Sequence, residues 1–217
     1  MANPVIVVVG AGPGIGAAVA RRYGRAGYDV ALLARSEPML AELGRALQSE
    51  GVTAGWFPAD ITAPEALTGA ITRFGNYTGQ IDVLHYNPSA FREKDPLELT
   101  PDELVDDVRL GVAGLLTAVQ AARPFMSAGA RVTVTGSRAA DRPWHRAASL
   151  GVQKAAVRNL VQSIDATLAP DGIRAMSLTV NGTLAPNSPF SAERIAEALF
   201  GAVSRKTDWQ VELSYNG

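Results

Sequence analysis

Four glycines stand within seven residues, at Gly10, Gly12, Gly14 and Gly16, in the stretch GAGPGIGAAVARRYG. They follow the apolar run VIVVV and open a helical pattern. Residues without side chains let a chain turn sharply and bring backbone amides close to an anion, and a helix start adds favourable partial charge. The stretch reads as G-x-G-x-x-A through Gly12, Gly14 and Ala17, and as G-x-x-x-G-x-G through Gly10, Gly14 and Gly16. With the Ile15 amide inside the turn, it is a cradle for the pyrophosphate of a dinucleotide. The bland alternative is a tight turn that binds nothing. No GK[ST] sequence follows, which excludes a Walker-type phosphate loop.

Two further run ends carry polar groups. In ALLARSE the apolar run ends at Ala34, where a site for NAD has an acid for the ribose hydroxyls, and Arg35 and Ser36 follow. An arginine beside a hydroxyl suits a 2′-phosphate, which points to NADP(H) rather than NAD(H). The alternative for Arg35 is a solvated loop residue. In PADIT, Asp60 either faces an adenine amine or caps the helix starting near Ala63. Farther on, Lys154 lies on the apolar stripe Leu150, Val157, Val161, Ile164 and Leu168. A charge there is costly unless something pairs with it or its stem packs while its ammonium reaches water. Ser137 ends RVTVTGS, and His145 lies in the loop before the Lys154 helix, with an unperturbed pKa that suits proton transfer near neutrality.

The elements that would position these groups alternate. Strand-like runs lie at 5–9, 29–34, 53–59, 81–86, 130–135, 173–180 and 209–213, and helical patterns near 14–26, 37–50, 63–75, 101–127, 147–169 and 191–204. Continuously apolar strands separated by helices predict a parallel sheet buried on both faces. The fold expected is a single Rossmann-like, doubly wound α/β domain over 1–217, with about seven parallel strands, helices on both faces and ligands at the carboxyl ends of the strands.

Composition narrows the rest. The net charge is −1, with no basic tract, which argues against nucleic acid and anionic membrane as partners. There is no cysteine, so disulfides and thiolate chemistry are excluded, and the chain fits a reducing cytoplasm. His85 and His145 are the two histidines, too few for a histidine-rich metal site; no metal is expected. No apolar run is long enough to span a membrane, and a first strand at Pro4 leaves no room for the basic region of a signal peptide.

Together these stretches resemble the short-chain dehydrogenase/reductase family nearly end to end. The resemblance assigns Asp60 and Ile61 of ADIT to adenine contact, and Asn87 to the one retained position of an Asn-Asn-Ala-Gly motif. It makes Ser137 the catalytic serine, Lys154 the lysine that hydrogen-bonds the nicotinamide ribose, and Asn181-Gly182 the equivalent of a Pro-Gly pair, with Thr183 near the carboxamide. The family tyrosine, four residues before the lysine, is here Leu150, and the helix asparagine is Gly111. Ser137 keeps the usual thirteen-residue spacing to Leu150, so the alignment is in register.

The resemblance implies an NADP(H)-dependent oxidoreductase with a degenerate site, acting on a small carbonyl or alcohol. His145 is the candidate replacement donor. The alternative is a dinucleotide-binding protein without turnover, a sensor or a silent subunit. It also implies a homo-oligomer, dimer or tetramer, assembled through helices 101–127 and 147–169. The short segment near 183–191 takes the place of a longer substrate lobe.

Overall fold

The computed structural model describes residues 2–204 and 208–217. Seven parallel strands, β1 (Val5–Val9), β2 (Asp29–Ala34), β3 (Ala54–Pro58), β4 (Val83–Tyr86), β5 (Arg131–Ser137), β6 (Arg174–Val180) and β7 (Glu212–Tyr215), form one sheet. Their order is β3-β2-β1-β4-β5-β6-β7. The order reverses between β1 and β4, the position at which open α/β sheets form their ligand crevice. Around the sheet run α1 (Ile15–Arg25), α2 (Glu37–Ser49), α3 (Pro64–Thr78), α4 (Pro101–Val108), α5 (Gly114–Ala122), α6 (Ala148–Leu168) and α7 (Ala192–Val203).

Each face of the sheet has its own core. Ile6, Val8, Leu32 and Leu178 pack with α1, α2 and α7, while Val7, Val9, Leu84 and Val132 pack with α3, α5 and α6. This two-sided burial is what the unbroken valine and leucine runs require, since alternate residues enter opposite cores. Edge strands β3 and β7 are only half-buried over most of their length. Among the described residues, no helix is long and apolar enough to cross a membrane.

Three elements depart from the sequence expectation. The helix expected over 101–127 starts on a capping box, with Glu103 N donating to Thr100 Oγ1 (3.2 Å) and Thr100 N to Glu103 Oε2 (3.0 Å). A π turn, Arg109–Ala113, then divides it, and a 3-10 turn at Arg123–Phe125 ends it at Pro124. Tyr86 donates its hydroxyl to Leu110 O inside the π turn, so this wider turn has a partner from β4. The last strand lies at Glu212–Tyr215 rather than 209–213, because Trp209 is held before it under the guanidinium groups of Arg131 and Arg174 (5.1 and 5.3 Å). Asp60 does not cap α3: Ala63 is the N-cap residue, and Asp60 accepts instead from Thr62 N (2.9 Å) and Thr62 Oγ1 (2.8 Å).

Helix α6, which carries Lys154, is fixed to β6 by Asp165. Its carboxylate takes Arg174 Nε (2.9 Å), Arg174 Nη2 (2.7 Å) and Ala175 N (2.7 Å). Burial pushes the Asp165 carboxyl up, but the arginine and the amide outweigh it and hold it below the usual range. A carboxyl depressed on folding stabilises the fold above its unfolded pKa of about 3.9 and loses that contribution as pH falls. Asp165→Asn is expected to cost ~1.5–3 kcal/mol at pH 7. Urea unfolding should show the wild-type advantage shrinking below about pH 4.

Candidate functional site

The glycine turn is built for close approach of backbone. Gly10 adopts φ +82°, and a Cβ there would lie 3.0 Å from the Pro88 ring; a Cβ on Gly16 would lie 2.4 Å from Gly10 O. These two glycines let the turn fold onto itself. The other two face outward. A Cβ on Gly12 would meet nothing within 4 Å, and one on Gly14 would meet only Leu184 Cδ2 at 3.4 Å. Gly14 is the N-cap residue of α1 and has no side chain to satisfy the first helical amides. The result is uncovered backbone at a helix N-terminus, with Ile15 opening the helix.

Beside it, at the end of β2, Arg35 and Ser36 are exposed. Ser36 is the N-cap residue of α2 yet makes no side-chain cap. Among the described residues Arg35 has no ion pair. The hydrogen bonds from Thr62 hold the exposed Asp60 below its ordinary pKa, and the nearby Arg35 charge adds to the effect. Ile61 is buried, with its methyl and carbonyl against Gly114.

Behind the turn lies a buried polar network. Asn87 donates from Nδ2 to Gly10 O (3.1 Å) and accepts at Oδ1 from Thr135 Oγ1 (2.8 Å). His85 Nδ1 lies 2.9 Å from Thr133 Oγ1. Burial first, and the Lys154 charge second, depress the His85 pKa to about 3, so this ring is neutral. Lys154 is 6% exposed, and its Nζ donates to Thr135 O at 2.9 Å. Its charge therefore finds a backbone carbonyl at the end of β5, and an ammonium has two further donors. Burial lowers its pKa to about 8.

Ser137 ends β5, and its Oγ accepts from Ala139 N (3.2 Å), which leaves its hydroxyl proton free to donate. Leu150 is half-buried one turn before Lys154. His145 is exposed and lines a surface hollow with Glu93, Asp95, Glu98 and Arg146; neither Ser137 nor Lys154 lines it. Gly182 packs under the Phe190 ring, and Thr183 is exposed beyond it. No cluster of three or more metal-ligating side chains occurs among the described residues.

Sequence reasoning missed several groups that hold this end together. Asp107 is 3% exposed and accepts from Arg92 (3.1 and 3.2 Å) and from Ser149 Oγ (2.7 Å). Gln153 is 1% exposed and bonds Ala90. Both lie on helices among apolar positions, and only the loop that covers them makes them interior.

Comparison with known proteins agrees with this fold. The family model described as short chain dehydrogenase matches residues 4–193, and the chain belongs to that family. The 3-dehydrosphinganine reductase TSC10B of Arabidopsis thaliana is 29% identical over 174 residues, covering 77% of this chain and 51% of the plant protein. The chain thus spans about half the length of that relative. A dehydrogenase/reductase from Sinorhizobium meliloti superposes with a TM-score of 0.92 at 21% identity, over 100% of this chain and 95% of the other. A short chain dehydrogenase from Burkholderia cenocepacia in complex with NADP gives 0.88 at 25% identity, over 100% and 97%.

Lysine at position 154 is expected to cost stability at low pH. A base whose pKa is lowered on folding, from about 10.4 toward 8, destabilises the fold at low pH, and that penalty lifts as pH rises through this window. Lys154→Met, which keeps the stem, should match or exceed wild-type stability at pH 7. The wild type should gain on the variant by on the order of 3 kcal/mol between about pH 8 and 10.4, read from paired denaturant titrations.

Proposed function

We propose that this chain binds NADP(H) at the carboxyl edge of the sheet and acts as an oxidoreductase on a small carbonyl or alcohol, through a site that lacks an acid at position 150. The observation that carries the reading is the outward-facing backbone at Gly12 and Gly14, open and uncapped, next to the exposed Arg35 and Ser36. A concavity of amides and a free guanidinium fit a pyrophosphate and a 2′-phosphate. The NADP complex of the Burkholderia cenocepacia relative supports it.

In this reading Gly10, Gly12, Gly14, Ile15 and Gly16 take the pyrophosphate, Arg35 and Ser36 the 2′-phosphate, and Asp60 and Ile61 the adenine. Lys154 turns its remaining donors to ribose hydroxyls, Asn87 holds the nicotinamide end through the glycine turn, and Gly182 and Thr183 approach the carboxamide. The bound dinucleotide supplies or accepts the hydride. Ser137 polarises the substrate oxygen with its free hydroxyl proton. Leucine has no proton to give, so the substrate oxygen must draw one from elsewhere, and His145 is the side chain to test. The whole chain acts as one dinucleotide-binding unit, with 183–191 facing the substrate. The exposed Leu116 on α5 and Val152 on α6 support self-association through those helices.

A second reading has its own support. The half-buried Leu150 suits a dinucleotide-binding protein without turnover, in which Lys154 serves binding alone.

Calorimetric titration separates NADP(H) from NAD(H). NADPH should bind roughly tenfold to a hundredfold more tightly than NADH, as a charge-assisted contact of ~1.5–3 kcal/mol predicts. Arg35→Ala should erase the difference; equal affinities in the wild type would contradict the assignment of Arg35.

Turnover separates the two readings. The wild type should oxidise NADPH slowly with simple ketones, and Leu150→Tyr should raise the rate, since a phenol of pKa about 10 would be lowered by the neighbouring ammonium. If the wild type already turns over at about 1 per second or faster, His145→Ala should slow it.

A further inference from the structure

Gln153 precedes Lys154 on α6 and is more deeply buried, at 1% exposed. A buried primary amide destabilises the fold unless its donors and acceptor are matched. Here they are. Oε1 accepts from Ala90 N at 3.0 Å, and Nε2 donates to Ala90 O and to Ser149 O, both at 3.2 Å. The amide thus grips the N–H and C=O of one residue, much as a neighbouring strand would. Ala90 lies in the irregular segment after β4, where no strand or helix supplies those bonds.

The space for this side chain exists because residue 111 is glycine. A Cβ on Gly111 would lie 2.5 Å from Gln153 Oε1 and 3.1 Å from its Cδ and Cγ. The amide cannot swing aside without breaking all three bonds. Gly111 sits in the π turn, which brings its backbone to this point.

The gripped segment reaches the candidate site. At its start Asn87 holds Gly10 O, and the Pro88 ring backs Gly10. Farther on, Arg92 bonds Asp107, and Lys94 O accepts from Ala148 N at 3.3 Å. Ala90 lies between these anchors, and Gln153 is its tie to α6. Two consecutive residues of one helix therefore hold both flanks of the crevice: Lys154 the end of β5, Gln153 the segment after β4.

We propose that Gln153 is a positioning residue. It sets the height of segment 87–94 so that Asn87 and Pro88 hold the glycine turn in its binding shape, and Gly111 is the glycine that admits it. The effect on ligand binding rests on the dinucleotide reading above; the clamp itself does not.

Gln153→Leu keeps the bulk and removes the bonds. Exchange of the Ala90 amide, followed without ligand, should speed up by about tenfold, as loss of its hydrogen bond to Gln153 Oε1 predicts, with the β1 amides unchanged. NADPH affinity should fall by a similar factor. Unchanged exchange at Ala90 would overturn the clamp. Faster exchange with unchanged affinity, in a wild type that binds NADPH, would overturn its role in positioning. A wild type that does not bind NADPH would contradict the dinucleotide reading, while exchange still decides the clamp.

A double-mutant cycle covers the case in which Gln153→Leu fails to fold. Gly111→Ala should lower the thermal midpoint in the wild-type background, where its methyl meets Gln153. In a Gln153→Ala background it should leave the midpoint unchanged or raise it, because alanine is the better helix former. An equal loss in both backgrounds would overturn the pairing of the two residues.

Discussion

Lys154 donates to the Thr135 carbonyl from inside the apolar face of α6, and the crevice is arranged around that bond. The same threonine gives its hydroxyl proton to Asn87, which holds Gly10 O, so one short chain of contacts runs from the ammonium to the glycine turn. Burying a charge costs several kcal/mol when one carbonyl is its only partner. A core helix has no structural need for that cost, since methionine would fill the same stripe. The arrangement makes physical sense when the remaining donors have a polar partner across the crevice.

In the proposed function the binding half and the chemical half of the site differ in kind. The glycine turn, Arg35, Ser36 and Ser137 sit at the ends of strands or the starts of helices, and Lys154 lies within α6. In the proposed function the donor position is a leucine, and Gly111 in the π turn is a glycine whose space Gln153 takes. Binding groups can thus be in place while proton supply is not. This separation makes affinity and turnover independent questions for this chain, even within a family of dehydrogenases.

The core strands were legible in the sequence because they are buried on both faces: β1, β2 and β6 lie where continuous apolar runs put them. The edge strand β7 was displaced because Trp209 reads as strand but serves as a platform for Arg131 and Arg174. The long helix before β5 was legible in extent but not in its π turn, which depends on the Tyr86 hydroxyl reaching Leu110 O from another element. Lys154 stood out because charge on an apolar stripe is a local conflict. Gln153 and Asp107 did not, since a polar residue on a helix is ordinary until a loop closes over it. His85 was likewise silent: nothing in IDVLHY shows that its ring would be neutral and walled in by β5.

The most direct measurement is a crystal structure of the chain soaked or grown with NADPH. The account predicts the pyrophosphate on the amides of Gly14 and Ile15, the 2′-phosphate on Arg35 and Ser36, and ribose hydroxyls within hydrogen-bond distance of Lys154 Nζ while it keeps Thr135 O. A dinucleotide bound away from the glycine turn, or one seated there with Lys154 Nζ touching nothing but Thr135 O, would contradict it.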